Sequence, residues 1–245
     1  RSSNVLGRVI EKLPALESLS LSGCVSLQGV PDTIGYMGLA STLTELDING
    51  CSSIMSLPDS ICHLTHLTTL TLCNGIKGLP EDFGCLSALR ILNAPHLYAV
   101  RQLPTTFVQL TALEELDMQG WSSLQALPNE FFHLPRLRAL KLGSRPFHAP
   151  LNALPPSIGD CSTLESLDLQ SWLNLYELPE SIGELHALRS LTLGGCTNLA
   201  TLPASIGKLS RLESLDLGLG GIWGGGWTMG STLRRFQRAS ESSIR

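Results

Sequence analysis

Leucine and isoleucine return along the chain in a local pattern, LxxLxL, whose last three positions alternate between apolar and polar residues. Alternation with a period of two predicts a short β-strand that buries one face. The pattern begins at nine leucines, each 22 to 27 residues from the next: Leu16, Leu43, Leu67, Leu89, Leu113, Leu137, Leu164, Leu188 and Leu212.

A second marker, the proline of a Leu-Pro or Val-Pro step, repeats with the same spacing. It falls at Pro31, Pro58, Pro80, Pro104, Pro128, Pro155, Pro179 and Pro203, and in all but the first case the next marker leucine follows nine residues later. Proline fixes φ and lacks an N–H donor, so it suits a corner better than a strand. The segment after it, often Ser-Ile-Gly, predicts a short helical or 3-10 turn.

A unit of this size has no core of its own and buries its leucines only by stacking on the units before and after it. The repeat therefore predicts an α/β solenoid, a curved horseshoe of about nine repeats. Its concave side is a parallel β-sheet, and its convex side consists of short helical, 3-10 or irregular segments. The predicted organisation is a lead-in segment (1–12), the solenoid (13–221) and a tail rich in Gly and Trp and then basic (222–245). This tail either caps the last repeat or is poorly ordered.

The consensus LxxLxLxx(C/N)xxL resembles the leucine-rich repeat. The stretch 164–209 is similar to repeats of intracellular plant disease-resistance receptors that also carry a nucleotide-binding domain, to Ras-group leucine-rich proteins and to some bacterial effectors. The resemblance implies a non-catalytic module that binds a protein partner in defence signalling, where such repeats sense an effector or restrain a nucleotide-binding switch. Two alternatives stay open: the substrate-recognition region of a ubiquitin-ligase effector, and a scaffold for a small-GTPase pathway.

The candidate partner-binding residues are the polar positions that flank the strand leucines, because these side chains point away from the core. They include six carboxylates and one lysine, which favours a protein partner with a basic surface. The alternative interpretation is a polar face that serves solubility. The candidates are Glu45, Asp47, Asn49, Glu115, Asp117, Gln119, Lys141, Asp168, Gln170 and Asp216.

Two tryptophans, Trp121 and Trp172, complete the candidate set. They stand where other repeats place Cys24, Cys51 or Cys196. Because an indole is larger than that position allows, we expect part of each ring to be exposed at the sheet margin as an anchor for a partner. Local packing of an irregular turn is the alternative.

Irregular repeats yield three further expectations. The sixth repeat carries extra residues in GSRPFHAPLNALP, where Arg145, Phe147 and His148 form either a binding loop or a neutral insertion. Pro95 follows Asn93 and Ala94 where the strand should continue, which predicts a local break in the sheet. Cys73 falls on an outward position and is expected to be exposed.

Composition and motifs argue against several classes of protein. The net charge is −4 and the pI is about 5.9, so nothing draws the chain to nucleic acid. No apolar run is long enough for a membrane span. The six histidines are scattered, and no nucleotide-binding, hydrolase or metal-binding motif occurs. We therefore expect no enzyme activity, no cofactor and no metal site.

Seven cysteines without a CxxC pair fit reduced thiols better than a disulfide framework. This predicts an intracellular, cytoplasmic protein. We also expect a monomer. The chain opens on arginine, as a fragment or a processed product would.

Overall fold

The computed structural model describes residues 2–36, 38–143 and 151–218. In these residues nine parallel strands form one open sheet in sequential order. The strands are β1 (Ser18–Ser20), β2 (Glu45–Asp47), β3 (Thr69–Thr71), β4 (Ile91–Asn93), β5 (Glu115–Asp117), β6 (Ala139–Lys141), β7 (Ser166–Asp168), β8 (Ser190–Thr192) and β9 (Ser214–Asp216). Each strand begins two residues after a marker leucine, so the predicted solenoid is confirmed. We call each repeat a coil and number it by its strand.

Short helices connect the strands on the convex side of the solenoid, opposite to the sheet. Helix α1 (Ser2–Ile10) precedes the first strand and occupies the predicted lead-in segment. Helix α2 (Leu39–Thr42) takes up the extra residues of the first repeat. The 3-10 helices begin directly after the marker prolines, as Pro-Ser-Ile-Gly predicts: Asp32–Gly35, Asp59–His63, Glu81–Cys85, Thr105–Gln109, Asn129–His133, Pro156–Asp160, Glu180–Glu184 and Ala204–Lys208.

The core runs the whole length of the solenoid between the sheet and the 3-10 helices. The middle leucine of each strand lies on the leucine of the next strand, as Leu46 does on Leu70, and both are buried. On the helical side, the rings of Phe83 and Phe107 stack with centroids 6.2 Å apart. Phe131 continues this stack at 6.1 Å from Phe107. Burial of each such side chain contributes about 1.5–3 kcal/mol, so stability accumulates coil by coil.

The repeated Ser-Ile-Gly segment has a packing reason. The glycine of one coil lies against the serine of the next: a Cβ added to Gly183 would lie 2.6 Å from the Cβ of Ser205, and one at Gly159 would lie 3.0 Å from the Cβ of Ser181. Carbon atoms in favourable contact are about 3.5–4.0 Å apart. The 3-10 helices therefore approach each other closely because this position has no side chain.

The expected break at Pro95 is wrong, since β4 pairs with β3 and with β5. Ala94 and His96 still donate to carbonyl oxygens of the next coil at 3.0 and 2.6 Å. The position of Pro95 corresponds to Asn49 in coil 2, whose N–H donates to the side chain of Asp47 in its own coil. Proline at this position therefore removes no hydrogen bond of the sheet.

The expected exposure of Cys73 is also wrong, because this residue is buried. Coil 3 is two residues shorter than coil 2 between its strand and the next apolar anchor. Cys73 therefore takes the inward position that Cys51 has in coil 2. Its Sγ lies 3.7 Å from the carbonyl oxygen of Ile54, and burial raises its pKa.

Candidate functional site

The concave face presents the two residues that flank the middle leucine of each strand. Because the strands pair in register, these side chains form two rows across the sheet. The first row is Ser18, Glu45, Thr69, Ile91, Glu115, Ala139, Ser166, Ser190 and Ser214. The second row is Ser20, Asp47, Thr71, Asn93, Asp117, Lys141, Asp168, Thr192 and Asp216. Every one of these side chains is exposed or half-buried.

In the second row, the aspartates hold the turn that follows each strand. One carboxylate oxygen of Asp47 accepts the N–H of Asn49 at 2.8 Å. Asp168 accepts the N–H of Gln170 in the same way, also at 2.8 Å. The corresponding bonds of Asp117 and Asp216 measure 3.0 and 2.7 Å. Each aspartate therefore stabilises its turn with Oδ1, and its Oδ2 atom remains directed to the concave face.

Two of these Oδ2 atoms connect different coils. The ammonium of Lys141 donates to Oδ2 of Asp117 at 3.3 Å, and Nε2 of Gln119 donates to Oδ2 of Asp168 at 3.2 Å. Gln119 thus reaches across coil 6. The structure consequently brings four of the predicted residues, Asp117, Gln119, Lys141 and Asp168, into one polar network.

The remaining predicted polar residues lie elsewhere on the concave face, and the N–H of Gln170 joins the network at Asp168. Glu45 is exposed in coil 2, where it accepts a hydrogen bond from the hydroxyl of Ser18 at 3.1 Å. Glu115 is exposed in the first row. Asn49 and Gln170 are exposed at the end of the turn that each aspartate holds, and Asp216 lies in the last described coil.

The predicted exposure of Trp121 and Trp172 is wrong: only 4% and 2% of these residues is accessible to solvent. The indole N–H of Trp121 donates to the carbonyl of Ala94 in the preceding coil at 2.6 Å, and that of Trp172 donates to Leu151 at 3.0 Å. Cys51 makes the equivalent bond to the preceding coil through its thiol. The tryptophans are therefore packing residues of the turn, and each indole N–H bonds to a backbone carbonyl of the preceding coil.

A third row escaped the sequence prediction. It consists of the residue before each strand, the first x of LxxLxL, and from coil 4 to coil 9 every member is charged with alternating sign. We call this row the charge ladder: Arg90, Glu114, Arg138, Glu165, Arg189 and Glu213. These residues do not flank the middle leucine of a strand, but the alternation of LR and LE at successive marker leucines is visible in the sequence.

The ladder residues pair across coils. Arg90 binds both carboxylate oxygens of Glu114 at 3.0 Å, and this hydrogen bonding lowers the pKa of Glu114. Glu165 lies 3.7 Å from Arg138 and 4.0 Å from Arg189, and Arg189 also pairs with Glu213. The concave face thus carries basic groups that the predicted acidic stripe did not include.

The structure offers little reactive chemistry in the residues it describes. No group of three or more His, Cys, Asp or Glu side chains there converges as ligands of one metal ion would. Burial raises the pKa of Cys62, Cys161 and Cys196 to about 11, which keeps these thiols protonated. None of the described helices combines the length and apolar character needed to cross a membrane.

Two earlier expectations lie outside the described residues. They are the loop with Arg145, Phe147 and His148, and the tail at 222–245.

Comparison with known proteins identifies the repeat. The family model of the leucine-rich repeat region matches residues 1–147, more than half of the chain. No curated protein matches the sequence. Among solved structures, a leucine-rich repeat protein of Leptospira interrogans is 28% identical with a TM-score of 0.69. The match covers 85% of this chain and 56% of that one, so the chain spans little more than half the length of that relative.

The leucine-rich repeat domain of the type III effector XopL is 29% identical with a TM-score of 0.67, and the match covers 84% of this chain and 70% of that domain. The ectodomain of the Arabidopsis receptor kinase HAESA, solved with a peptide hormone, is 22% identical with a TM-score of 0.55. That match covers 77% of this chain and 31% of the ectodomain, and it shows similarity of fold alone.

Proposed function

The chain belongs to the leucine-rich-repeat family, and from this premise we propose that it is a non-catalytic module that recognises a protein partner on its concave face. Members of this family typically bind proteins, and the fold is generally a scaffold without catalysis. The observation that carries the proposal is the concave face itself. Two rows of strand side chains and the charge ladder stay accessible there while the core leucines account for the packing.

The polar network of Asp117, Gln119, Lys141 and Asp168 is the part of this face that we assign to partner contact. Its donors and acceptors point away from the core, and electrostatic complementarity on such a surface governs specificity and association rate. Glu45, Asp47, Asn49, Glu115, Gln170 and Asp216 extend the proposed contact surface along the sheet.

We place this function in defence signalling in the cytoplasm. The support is the similarity of the repeats at 164–209 to those of intracellular plant disease-resistance receptors, in which the repeats sense an effector or restrain a nucleotide-binding switch. All seven cysteines are free thiols, as is usual in a reducing compartment.

A second candidate function is substrate recognition in a ubiquitin-ligase effector. The observation in its favour is the similarity to the repeat domain of the type III effector XopL. The complete open reading frame would separate the two candidates: a nucleotide-binding P-loop before the repeats supports the receptor, and a cysteine-bearing ligase domain after them supports the effector.

Affinity capture with matched charge variants tests the proposed function. The concave variant carries Asp47→Asn, Asp117→Asn and Asp168→Asn, because asparagine can still accept the turn N–H while the negative charge is lost. The convex control removes three exposed carboxylates from the 3-10 helices with Asp59→Asn, Asp160→Asn and Glu184→Gln. We expect the concave variant to lose partners that the wild type and the control retain. Identical partner sets for all three proteins would refute the proposal.

A further inference from the structure

The charge ladder is too regular for an average stretch of surface. Charged residues make up 16% of the chain, yet all six positions from coil 4 to coil 9 are charged, with the sign changing at every step. In coils 5 to 7, the second row has the same sign of charge as the ladder, because Asp117, Lys141 and Asp168 succeed one another there. Coils 5 and 7 are therefore acidic columns of the concave face, and coil 6 between them is a basic column.

Most of these side chains remain available to a partner. About half or more of the side chain is accessible in Arg138 (64%), Arg189 (50%) and Glu213 (66%), although each lies in an ion pair. A guanidinium has five N–H donors and a carboxylate has about four acceptor sites, so one intramolecular pair leaves both groups with unused hydrogen-bonding capacity.

The spacing of the ladder identifies the secondary structure that fits it. Neighbouring parallel strands lie about 4.8 Å apart, so the five steps of the ladder span about 24 Å. One helical turn rises about 5.4 Å, so the length of five turns exceeds the length of the ladder by only about 3 Å. In an extended peptide, side chains on one face repeat about every 6.6 Å. Five such repeats exceed the length of the ladder by about 9 Å, which is the width of nearly two coils. Long charged side chains can absorb the first mismatch but not the second.

We propose that coils 4 to 9 bind an α-helix of the partner whose acidic and basic side chains alternate turn by turn along one face. The inference rests on the proposed function, since it specifies the partner of the same concave face. A helix of about 16 residues would span the ladder. A helix is about 10 Å wide, and three residues of strand are about 10 Å long, so the sheet is broad enough to receive it.

Three synthetic helical peptides of equal length test the proposal by fluorescence anisotropy at low salt. The first alternates its charge every turn along one face, the second has the same composition with the sign changing every second turn, and the third has a uniformly basic face. We expect the first peptide to bind about tenfold more tightly than the second. Equal or tighter binding of the second or third peptide, or no binding of any, would overturn the proposal.

Two ladder variants supply a matched control. Arg138→Glu with Arg189→Glu destroys the alternation and should weaken binding of the first peptide about tenfold. Exchanging the sign of all six ladder residues keeps both the alternation and the intramolecular pairs, and it should retain binding because the peptide can shift by one turn. Unchanged affinity in the first variant would contradict the proposal. If that variant does not fold, the comparison of peptides on the wild type still decides.

The outcomes separate this inference from the proposed function. If capture depends on the concave carboxylates while the peptide series shows no preference, only the helix proposal fails. If capture is indifferent to the concave variant, the proposed function fails independently of the peptide result.

Discussion

Replacing the glycine of one Ser-Ile-Gly segment tests the stacking of coils most directly. In Gly183→Ala the new Cβ would lie 2.6 Å from the Cβ of Ser205 and 2.9 Å from its carbonyl carbon. Ordinary carbon contacts are about 3.5–4.0 Å, so the two 3-10 helices must separate by about 1 Å or the backbone must bend. No rotamer change can relieve the contact, because it involves the backbone of Ser205.

The matched control is Gly207→Ala in coil 8, which lies in the same Ser-Ile-Gly context but has no atom of the described residues within 4 Å of an added Cβ. Overpacking costs about 1–3 kcal/mol, and alanine recovers about 0.4–1 kcal/mol by restricting the unfolded chain. We therefore expect Gly183→Ala to lower the free energy of unfolding by about 1–2 kcal/mol and Gly207→Ala to leave it unchanged or raise it. For a chain of this size, the Tm of Gly183→Ala should fall by about 2–8 °C.

Urea unfolding followed by circular dichroism measures both variants. Equal stability of Gly183→Ala and Gly207→Ala would refute the packing argument. Close packing also predicts a graded series of Gly→Ala variants, because the distance from the added Cβ to the facing carbonyl carbon is 2.5 Å at Gly35, 2.7 Å at Gly84 and 2.9 Å at Gly183. Destabilisation should decrease in that order, and a series without this order would count against it.

Three other perturbations follow from the buried polar groups. Trp121→Phe should lower the free energy of unfolding by about 1–3 kcal/mol, because a buried carbonyl loses its indole donor. An unchanged denaturation midpoint would disprove that role. Burial raises the pKa of Cys62, Cys161 and Cys196 from 9.0 to about 11. The folded state then retains protons that the unfolded chain loses, so the contribution of these cysteines to stability should be fully present below pH 9 and be lost as the pH rises through about 11. Denaturation at several alkaline pH values measures this decline, which alanine at all three positions should reduce; part of it should remain, because burial also raises the pKa of Cys51 and Cys73. The hydroxyl of Ser181 has no hydrogen-bond partner in the described residues, so Ser181→Ala should not destabilise the protein. A clear loss in thermal unfolding would reveal a partner.

The sequence was sufficient to predict the fold because stacking makes each coil depend on the same few positions. Marker leucines and prolines recur nearly in step, and only a parallel, in-register stack lets every coil bury its leucines against the next. The outward positions followed from the same register. That is why the repeat pattern alone predicts that Asp117, Lys141 and Asp168 share one face.

What the sequence could not supply was the use of each side chain within its coil. The size of Trp121 predicts an exposed ring, whereas the indole is buried and donates its N–H to the preceding coil, as the thiol of Cys51 does in coil 2. The missing N–H of Pro95 predicts a break in the sheet, whereas the equivalent N–H in coils 2, 5, 7 and 9 bonds to an aspartate of its own coil. In both cases the decisive feature is a hydrogen-bond partner that a one-dimensional pattern does not contain: a backbone carbonyl for the indole and an aspartate side chain for the N–H.

The strand-end aspartates show how fold and binding surface share the same residues. Through Oδ1 each holds the turn after its strand, and through Oδ2 it adds a charge to the concave face, as Asp117 does towards Lys141. A change to alanine at Asp117 therefore removes both functions, whereas asparagine can keep the turn and remove only the charge. If asparagine at this position abolished partner binding at full stability, the charge itself would be the recognised feature. If binding persisted, the aspartate would serve the turn alone, and recognition would rest on the charge ladder beside it.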